Sequence, residues 1–284
     1  MSNQNGTLYI VATPIGNLSD ISQRALDILQ QVNLIAAEDT RKSKTLLSHY
    51  TINTPMTAYH EHNEGSKSGY LIEKLQQGES IALISDAGTP LISDPGYSLV
   101  QEAHKANISI VPVPGCCALV AALSVSGLSS ARFSFDGFLP RTSTARKKIF
   151  QQNLKLAKTL IFYESSHRIL YCLEDMLDVY GADRKVSLAR ELTKTFETIV
   201  TDNLLTLVEK VRTEPNMQRG EFVVMVDAFI EDKKEQELAD DVLQTLTTLL
   251  GECSLKTAVS LAVKLTGLPK KKLYQAALLI SKEN

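Results

Sequence analysis

Short apolar runs alternate with stretches of helical spacing through the first half of the chain, and each run stops at a loop of Gly, Pro, Asp or Thr. The runs are TLYIVA (7–12), NLIAAE (33–38), SIALIS (80–85) and ISIVPVP (108–114). Between them Ala25, Leu26, Ile28, Leu29 and Val32 recur at helical spacing, and GYLIEKLQQG (69–78) reads as a helix closed by Gly78 at its C′ position. None of the runs alternates strictly between apolar and polar, which suits strands covered on both faces. Strands alternating with helices predict a mostly parallel α/β sheet.

The second half repeats this style without repeating the sequence. RFSFDGFL, TLIFYES, KVSLARE, FETIVTD and EFVVMVD read as strands. HRILYCLEDMLDVYG reads as a helix ending at Gly181, a second helix covers Leu204–Val211, and RTSTARKKIFQQNLK is a basic loop and helix. Beyond Asp232 a charged segment, EDKKEQELAD, leads into three short amphipathic helices punctuated by Gly251, Gly267 and Pro269. The expected organisation is an α/β domain over 1–127, a second over 128–232 and a small helical domain over 233–284.

Composition narrows the function classes. The 284 residues are 44 % hydrophobic and 22 % charged, as in a globular protein, and the net charge of −2 gives no global case for nucleic-acid binding. Local basic clusters are not excluded. The longest uncharged run, Ala106 to Ala131, is broken by Pro112, Pro114 and Gly115 and reads as core, not as a membrane span. The opening MSNQNGTLYIVATP has no signal-peptide pattern. Cys116, Cys117, Cys172 and Cys253 show neither zinc spacing nor a secreted-type framework, so reduced thiols and a cytoplasmic location are expected.

In an open parallel sheet, ligands bind outside the carboxyl ends of the strands. Four loops fall there: ATPIGN, AEDTRKSK, SDAGTPLISDPG and PVPGCCA. They expose backbone N–H and C=O groups with little side-chain cover. Neither the dinucleotide fingerprint nor the P-loop pattern is present, which disfavours a Rossmann dehydrogenase and a P-loop NTPase. In YHEHNE, His60, Glu61, His62 and Glu64 are metal-ligand types, but H-E-x-x-H is absent; a polar active-site loop and a solvated turn are the other readings, and no metal is expected. Adjacent Cys116 and Cys117 lack the C-x-x-C redox spacing and read as small thiols packed where a helix starts. EDTRK, YESSHR and ARELTKTFE mix carboxylates with cations. They are either surface ion pairs or a cleft in which Arg41, Lys42, Arg168, Arg190 and Lys194 face an anionic substrate. The near-repeat LISDAG and LISDPG divides into a ligand loop and a helix start, with Asp94 at the N-cap and Pro95 at N1.

Taken in order, LYIVATPIGNLSDIS, AAEDTRKSKTLL, ISDAGTPLISDPG, VPGCCALVAAL, GFLP, TLIFYESSHR, ARELTKTFE and RGEFVVMVD resemble the tetrapyrrole-methylase superfamily. They are most similar to its bacterial ribosomal branch, which 2′-O-methylates a cytidine ribose of 16S rRNA. The likeness covers roughly 7–228 and extends into the tail. It implies two α/β domains, S-adenosylmethionine (SAM) in the cleft between them, a homodimer, and 16S rRNA in 30S subunits as partner. By motif it implies cofactor contacts from Pro14, Ile15, Asp86, Thr89, Ile92, Cys117 and Ala118 in the first domain. From the second it implies Glu164, Ala189 and Glu221, mostly through backbone atoms. ATPIG stands where tetrapyrrole enzymes have G-x-G-P-G, and Thr89 replaces the Asp of G-D-P; both favour RNA over a porphyrin-like substrate. Cys116 and Cys117 replace the usual Pro and Ser, and Ser166 a common Pro.

The implied reaction moves a methyl group in line onto a ribose 2′-oxygen. Such a hydroxyl needs a general base, for which Glu38, Asp39, His60 and Glu61 are candidates. Arg41, Arg168 and Arg190 are expected on phosphate or on the cofactor carboxylate, and Lys270 to Lys272 either add RNA affinity or form a solvated helix end. The alternatives are a methylase of a tetrapyrrole-like small molecule or a protein side chain, or a catalytically silent SAM-binding module.

Overall fold

The computed structural model describes residues 5–229 and 240–283. The chain parts into two compact units, 1–229 and 230–284. The expected boundary at 232/233 lies outside the described residues.

The first unit holds two five-stranded sheets. In the first, β1 (Thr7–Val11), β2 (Leu34–Ala37), β3 (Met56–Ala58), β4 (Ile81–Ile84) and β5 (Ser109–Val113) lie in the order β3-β2-β4-β1-β5, all parallel. Both faces are covered, as the unbroken apolar runs require. On one face α1 (Gln23–Gln31) and α2 (Thr40–His49) bring Leu29 and Leu47 against Ile35, Ala82 and Ile84. On the other, α3 (Glu64–Gln76) and α4 (Tyr97–Lys105) bring Leu71, Leu75, Leu99 and Ala103 against Leu8, Leu34 and Leu83. Gly78 follows α3 at φ 91, the left-handed geometry that stops a helix. The run Ala106 to Ala131 becomes β5, a loop and α5 (Ala118–Val125), and among the described residues no helix is long and apolar enough to cross a membrane.

The second sheet contains β6 (Phe133–Phe138), β7 (Thr159–Ser165), β8 (Lys185–Arg190), β9 (Thr198–Asn203) and β10 (Glu221–Val226), in the order β6-β7-β10-β8-β9. Only β6 and β7 are parallel; the other neighbours are antiparallel. One face is buried under α6 (Ser143–Asn153), α7 (Ile169–Tyr180) and α8 (Leu204–Thr213). The other is covered by α5: Leu119, Ala122 and Leu123 pack on Ile161, Ala189, Val223 and Met225, together with Ile15 and Ile92 from loops of the first sheet. The last helix before residue 127 thus buries its apolar side against the second sheet, and the two halves share one core beside a cleft.

The second unit consists of α9 (Asp240–Glu252), α10 (Leu255–Thr266) and α11 (Lys270–Glu283) around Leu246, Val259, Ala262, Leu273 and Ala277. Gly267 at φ 68 ends α10, whereas Gly251 lies inside α9.

Candidate active site

Four loops of the first sheet are tied together at its carboxyl edge. Thr13 and Gly88 exchange backbone hydrogen bonds (Thr13 N to Gly88 O 2.8 Å, Gly88 N to Thr13 O 3.0 Å), which joins the loops after β1 and β4. Thr89 Oγ1 donates to Cys116 O at 2.9 Å, which joins the loops after β4 and β5. The Asp39 N–H donates to Asp86 Oδ1 at 3.0 Å and Lys42 Nζ to Oδ2 at 2.7 Å, which brings in the loop after β2. Cross-linked through backbone and side-chain groups, these loops form one continuous rim.

Between this rim and the second sheet lies a cavity of about 380 Å³. That is the size of a small-molecule or cofactor site. The first half contributes Ile15, Glu38, Asp86 to Thr89, Ile92, Ser93, Asp94, Cys117 and Ala118. The second contributes Phe138, Tyr163, Glu164, Ser165, Leu192 and Glu221 to Val223. Of the expected cofactor contacts, Ile15, Asp86, Thr89, Ile92, Cys117, Ala118, Glu164 and Glu221 meet here. Pro14 and Ala189 do not line the cavity: Pro14 is buried behind the rim, and Ala189 is buried in β8 opposite Val223.

Of the four candidate bases Glu38, Asp39, His60 and Glu61, and of Arg41 as a further catalytic candidate, Glu38 alone lines the cavity. Burial pushes its carboxyl up, opposed by the Asp86 N–H, which donates to Oε2 at 3.2 Å. Asp39 caps α2 by accepting from Arg41 N at 2.9 Å and pairs with the Arg41 guanidinium at 2.9 Å, which holds its carboxyl down at about 2 and makes it a feeble base. Glu61 and His62 are exposed; His60 Nε2 lies 3.4 Å from Asn63 Nδ2, and its Nδ1 is buried without a partner. Glu64 works in the fold, where its Oε1 accepts from Gly96 N (3.3 Å) and Ser98 N (2.9 Å) at the start of α4. The capping role expected of Asp94 is therefore corrected. Gly96 at φ 136 is the N-cap, a Cβ there would come 2.8 Å from Leu83 Cδ2, and the helix starts at Tyr97. Asp94 faces the cavity instead.

The expected substrate-facing cations also divide. Arg168 is directed inward: it pairs with Glu164 at 2.6 Å and donates to Ser165 Oγ at 3.2 Å and Leu139 O at 3.1 Å. Arg190 is buried and donates to Arg219 O at 2.6 Å and Phe196 O at 3.0 Å. Lys194 lies between Glu191 (2.9 Å) and Glu221 (2.8 Å). All three are engaged within the protein, Arg168 and Lys194 by carboxylates and Arg190 by backbone carbonyls. Arg41 and Lys42 remain open to solvent, with side chains 90 % and 66 % exposed.

Ser93, Asp94, Phe138, Tyr163, Leu192, Phe222 and Val223 line the cavity without having been expected there. Most lie inside strands or motifs already quoted, and Gly137 within FSFDGF is the one signal of a bulge that re-aims a neighbour. Tyr163 OH accepts from Leu119 N at the start of α5 (3.2 Å), and burial pushes its phenol up to about 12. Among the described residues no group of three or more His, Cys, Asp or Glu is arranged to hold a metal. The four cysteines are free; Cys117 is the N-cap of α5 and Cys116 Sγ lies 3.4 Å from Asp20 O.

The family model for tetrapyrrole (corrin/porphyrin) methylases matches residues 7–208, which spans both sheets. The chain belongs to the tetrapyrrole methylase family. Within the family it is 53 % identical over 96 % of its length to a protein of Pseudomonas aeruginosa named ribosomal RNA small subunit methyltransferase I, and covers 97 % of that relative. A Vibrio cholerae protein of the same name is 53 % identical over 94 % of this chain and 93 % of its own. The model of an RsmI C-terminal HTH domain matches residues 236–281. Among solved structures, a uroporphyrin-III C-methyl transferase from Thermus thermophilus complexed with S-adenyl homocysteine superposes with a TM-score of 0.53 at 14 % identity, covering 78 % of this chain and 97 % of that one. At that identity the likeness speaks for the fold of this methylase and no further.

Proposed function

We propose that this methylase uses SAM to methylate the 2′-oxygen of a cytidine ribose in 16S rRNA of the small ribosomal subunit. The observation that carries this reading is the near full-length identity of about one residue in two to relatives named for ribosomal RNA methylation. Fold alone would leave a tetrapyrrole or a protein side chain equally eligible.

The cleft suits the donor. Glu38 and Asp86 give its first wall a negative balance against Lys42, which favours a sulfonium cation. Glu164 Oε2 is buried without a partner, an acceptor that a bound hydroxyl or amine would satisfy. Ile15, Ile92, Leu192 and Val223 supply apolar cover, and Thr89, Cys117, Ala118 and Glu221 stand on the loop and strand backbone around it. SAM, when bound, supplies an activated methyl group; the residues of this chain bind and orient it, exclude water and accept a proton.

Arg41 and Lys42, at the start of α2, are assigned to RNA phosphate. The three-helix unit, with Lys270 to Lys272, is assigned to added RNA affinity. The domain limits 1–127, 128–232 and 233–284, a homodimer, a cytoplasmic location and the assembled 30S subunit as substrate belong to the same reading. The test is purified protein with methyl-labelled SAM and 30S subunits, followed by nucleoside analysis. Label in a 2′-O-methylcytidine of 16S rRNA is the expected result. Label only in a small molecule or a protein would overturn the reading, and SAM binding without any acceptor would mark a silent module.

A further inference from the structure

The cleft holds three carboxylates on its first wall, and two of them are engaged. Asp86 is spent on Asp39 N and Lys42, and Glu38 accepts from the Asp86 N–H. Asp94 has no ion-pair partner among the described residues, and the Ser85 hydroxyl lies beside it. Leu91 (φ 71) and Ser93 (φ 67) both take the left-handed conformation in the loop that holds Asp94 against the cavity. Such strain in non-glycine residues persists where the surroundings over-determine it.

The facing wall is built around a bulge. In the parallel β6–β7 pair, Phe135 lies opposite Ile161 and Phe138 opposite Tyr163, so Asp136 and Gly137 together face Phe162. The extra residue, with Gly137 at φ 67, turns Phe138 to the same side as Phe135. Both rings then meet Tyr163 edge-on, at 4.7 and 5.5 Å between centroids. Phe135 is partly covered, but Phe138 is 57 % exposed and lines the cavity. A Cβ on Gly137 would come 3.3 Å from Ser93 Oγ, which sets the bulge against the residue preceding Asp94. An open aromatic face and an unpaired carboxylate therefore share one end of the cleft.

We propose that this end is the acceptor subsite, in which Asp94 removes the proton of the ribose 2′-hydroxyl and the ring of Phe138 stacks against the base of an unpaired nucleotide. The assignment rests on the RNA-methyltransferase reading above. The O–H bond of the acceptor breaks and its proton passes to an Asp94 carboxylate oxygen. The oxygen lone pair forms the new O–CH₃ bond, the carbon–sulfur bond of the donor breaks, and its electron pair stays on sulfur, converting sulfonium to thioether. Burial raises the Asp94 carboxyl to about 6, the facing Glu38 and Asp86 carboxylates add to the rise, and the Ser85 hydroxyl opposes it. Lys42 is held by Asp86, and the neighbouring Tyr163 phenol stays neutral with its proton affinity pushed up to about 12. Asp94 is thus a stronger base than an exposed aspartate while still mostly ionised near neutrality.

Asp94→Asn, Asp94→Glu and Phe138→Ala are to be compared with wild type on 30S subunits, with SAM affinity measured by calorimetry and folding by thermal denaturation. For Asp94→Asn, kcat is expected to fall about 100-fold or more and to lose its rise with pH, while SAM affinity stays within about threefold; Asp94→Glu keeps part of the rate. Phe138→Ala is expected to raise KM for the subunit about tenfold with kcat little changed, since a stacked base contributes on that scale. Asp94→Asn retaining kcat within about threefold, or losing SAM binding instead, overturns the base assignment. An unchanged KM in Phe138→Ala overturns the stacking assignment. If wild type itself places no label on a ribose, the RNA reading fails first, and with it the acceptor subsite.

Discussion

Replacing Arg168 with alanine separates a structural cation from an RNA-binding one. Its side chain is 23 % exposed and its guanidinium pairs at 2.6 Å with Glu164, whose side chain is fully buried. It also donates to Leu139 O and Ser165 Oγ, so one side chain joins the end of β6, the end of β7 and the start of α7. Alanine would leave Glu164 buried without a counter-charge and the Leu139 carbonyl without this donor. Breaking a buried pair from one side costs about 3–5 kcal/mol, and partial access of water to the guanidinium places this case near the lower end, about 3 kcal/mol. For a cooperative unit of this size that corresponds to a fall in Tm of about 6–12 °C. Urea unfolding followed by circular dichroism gives the free energy directly. The double variant Arg168→Met with Glu164→Gln should recover most of the loss, because the stranded charge is gone. Affinity for rRNA should keep its salt dependence in folded Arg168→Ala. Unchanged stability together with a shallower salt slope would instead assign Arg168 to RNA phosphate.

Arg41→Ala with Lys42→Ala should weaken rRNA binding and lower the slope of log K against log salt by about one to two units, with little change in stability, as filter binding across a salt series would register. Thr89→Trp puts an indole into the cavity and removes the bond to Cys116 O; SAM affinity should fall about 100-fold or more by calorimetry, and equal affinity would detach the loop after β4 from cofactor binding. Asp94 has a folded-state carboxyl raised from 3.8 to about 6, so the native protein binds the extra proton between those values. Its contribution therefore falls as pH rises through that window, and Asp94→Asn should remove the fall and unfold at a higher temperature than wild type above pH ~6 in differential scanning calorimetry.

Much of the framework is local and periodic, and so was legible in the residue order. Apolar runs bounded by turn residues mark β1, β2, β4, β5 and all five strands of the second sheet, and Gly78, Gly181 and Gly267 mark helix ends through positive φ. The three C-terminal helices show the same amphipathic signal around Leu246, Val259 and Leu273. β3 escapes because Met56–Ala58 is too short to show a period. The alternation of strands and helices led to a parallel sheet in the first half, yet left open that most pairs of the second sheet run antiparallel, since strand direction depends on which distant neighbour pairs with which.

The site divides along the same line. Loops at the carboxyl ends of the first sheet supply most of the cavity lining from the first half of the chain, because chain order alone places them at one edge. Whether a charged side chain faces substrate or holds the fold was not readable: Arg41 and Arg168 stand in similar mixtures of charge, but one is exposed and the other is enclosed against Glu164. LISDAG and LISDPG look alike as written, and only the packed structure shows that Glu64, thirty residues before Asp94, caps α4 and leaves the Asp94 carboxyl free to face the cleft. Residue order suffices for the elements, their succession and the edge at which the polar loops gather, since propensity and periodicity act over a few residues. Tertiary structure alone decided partners, burial and the free carboxylate, since these depend on contacts between segments far apart in the chain.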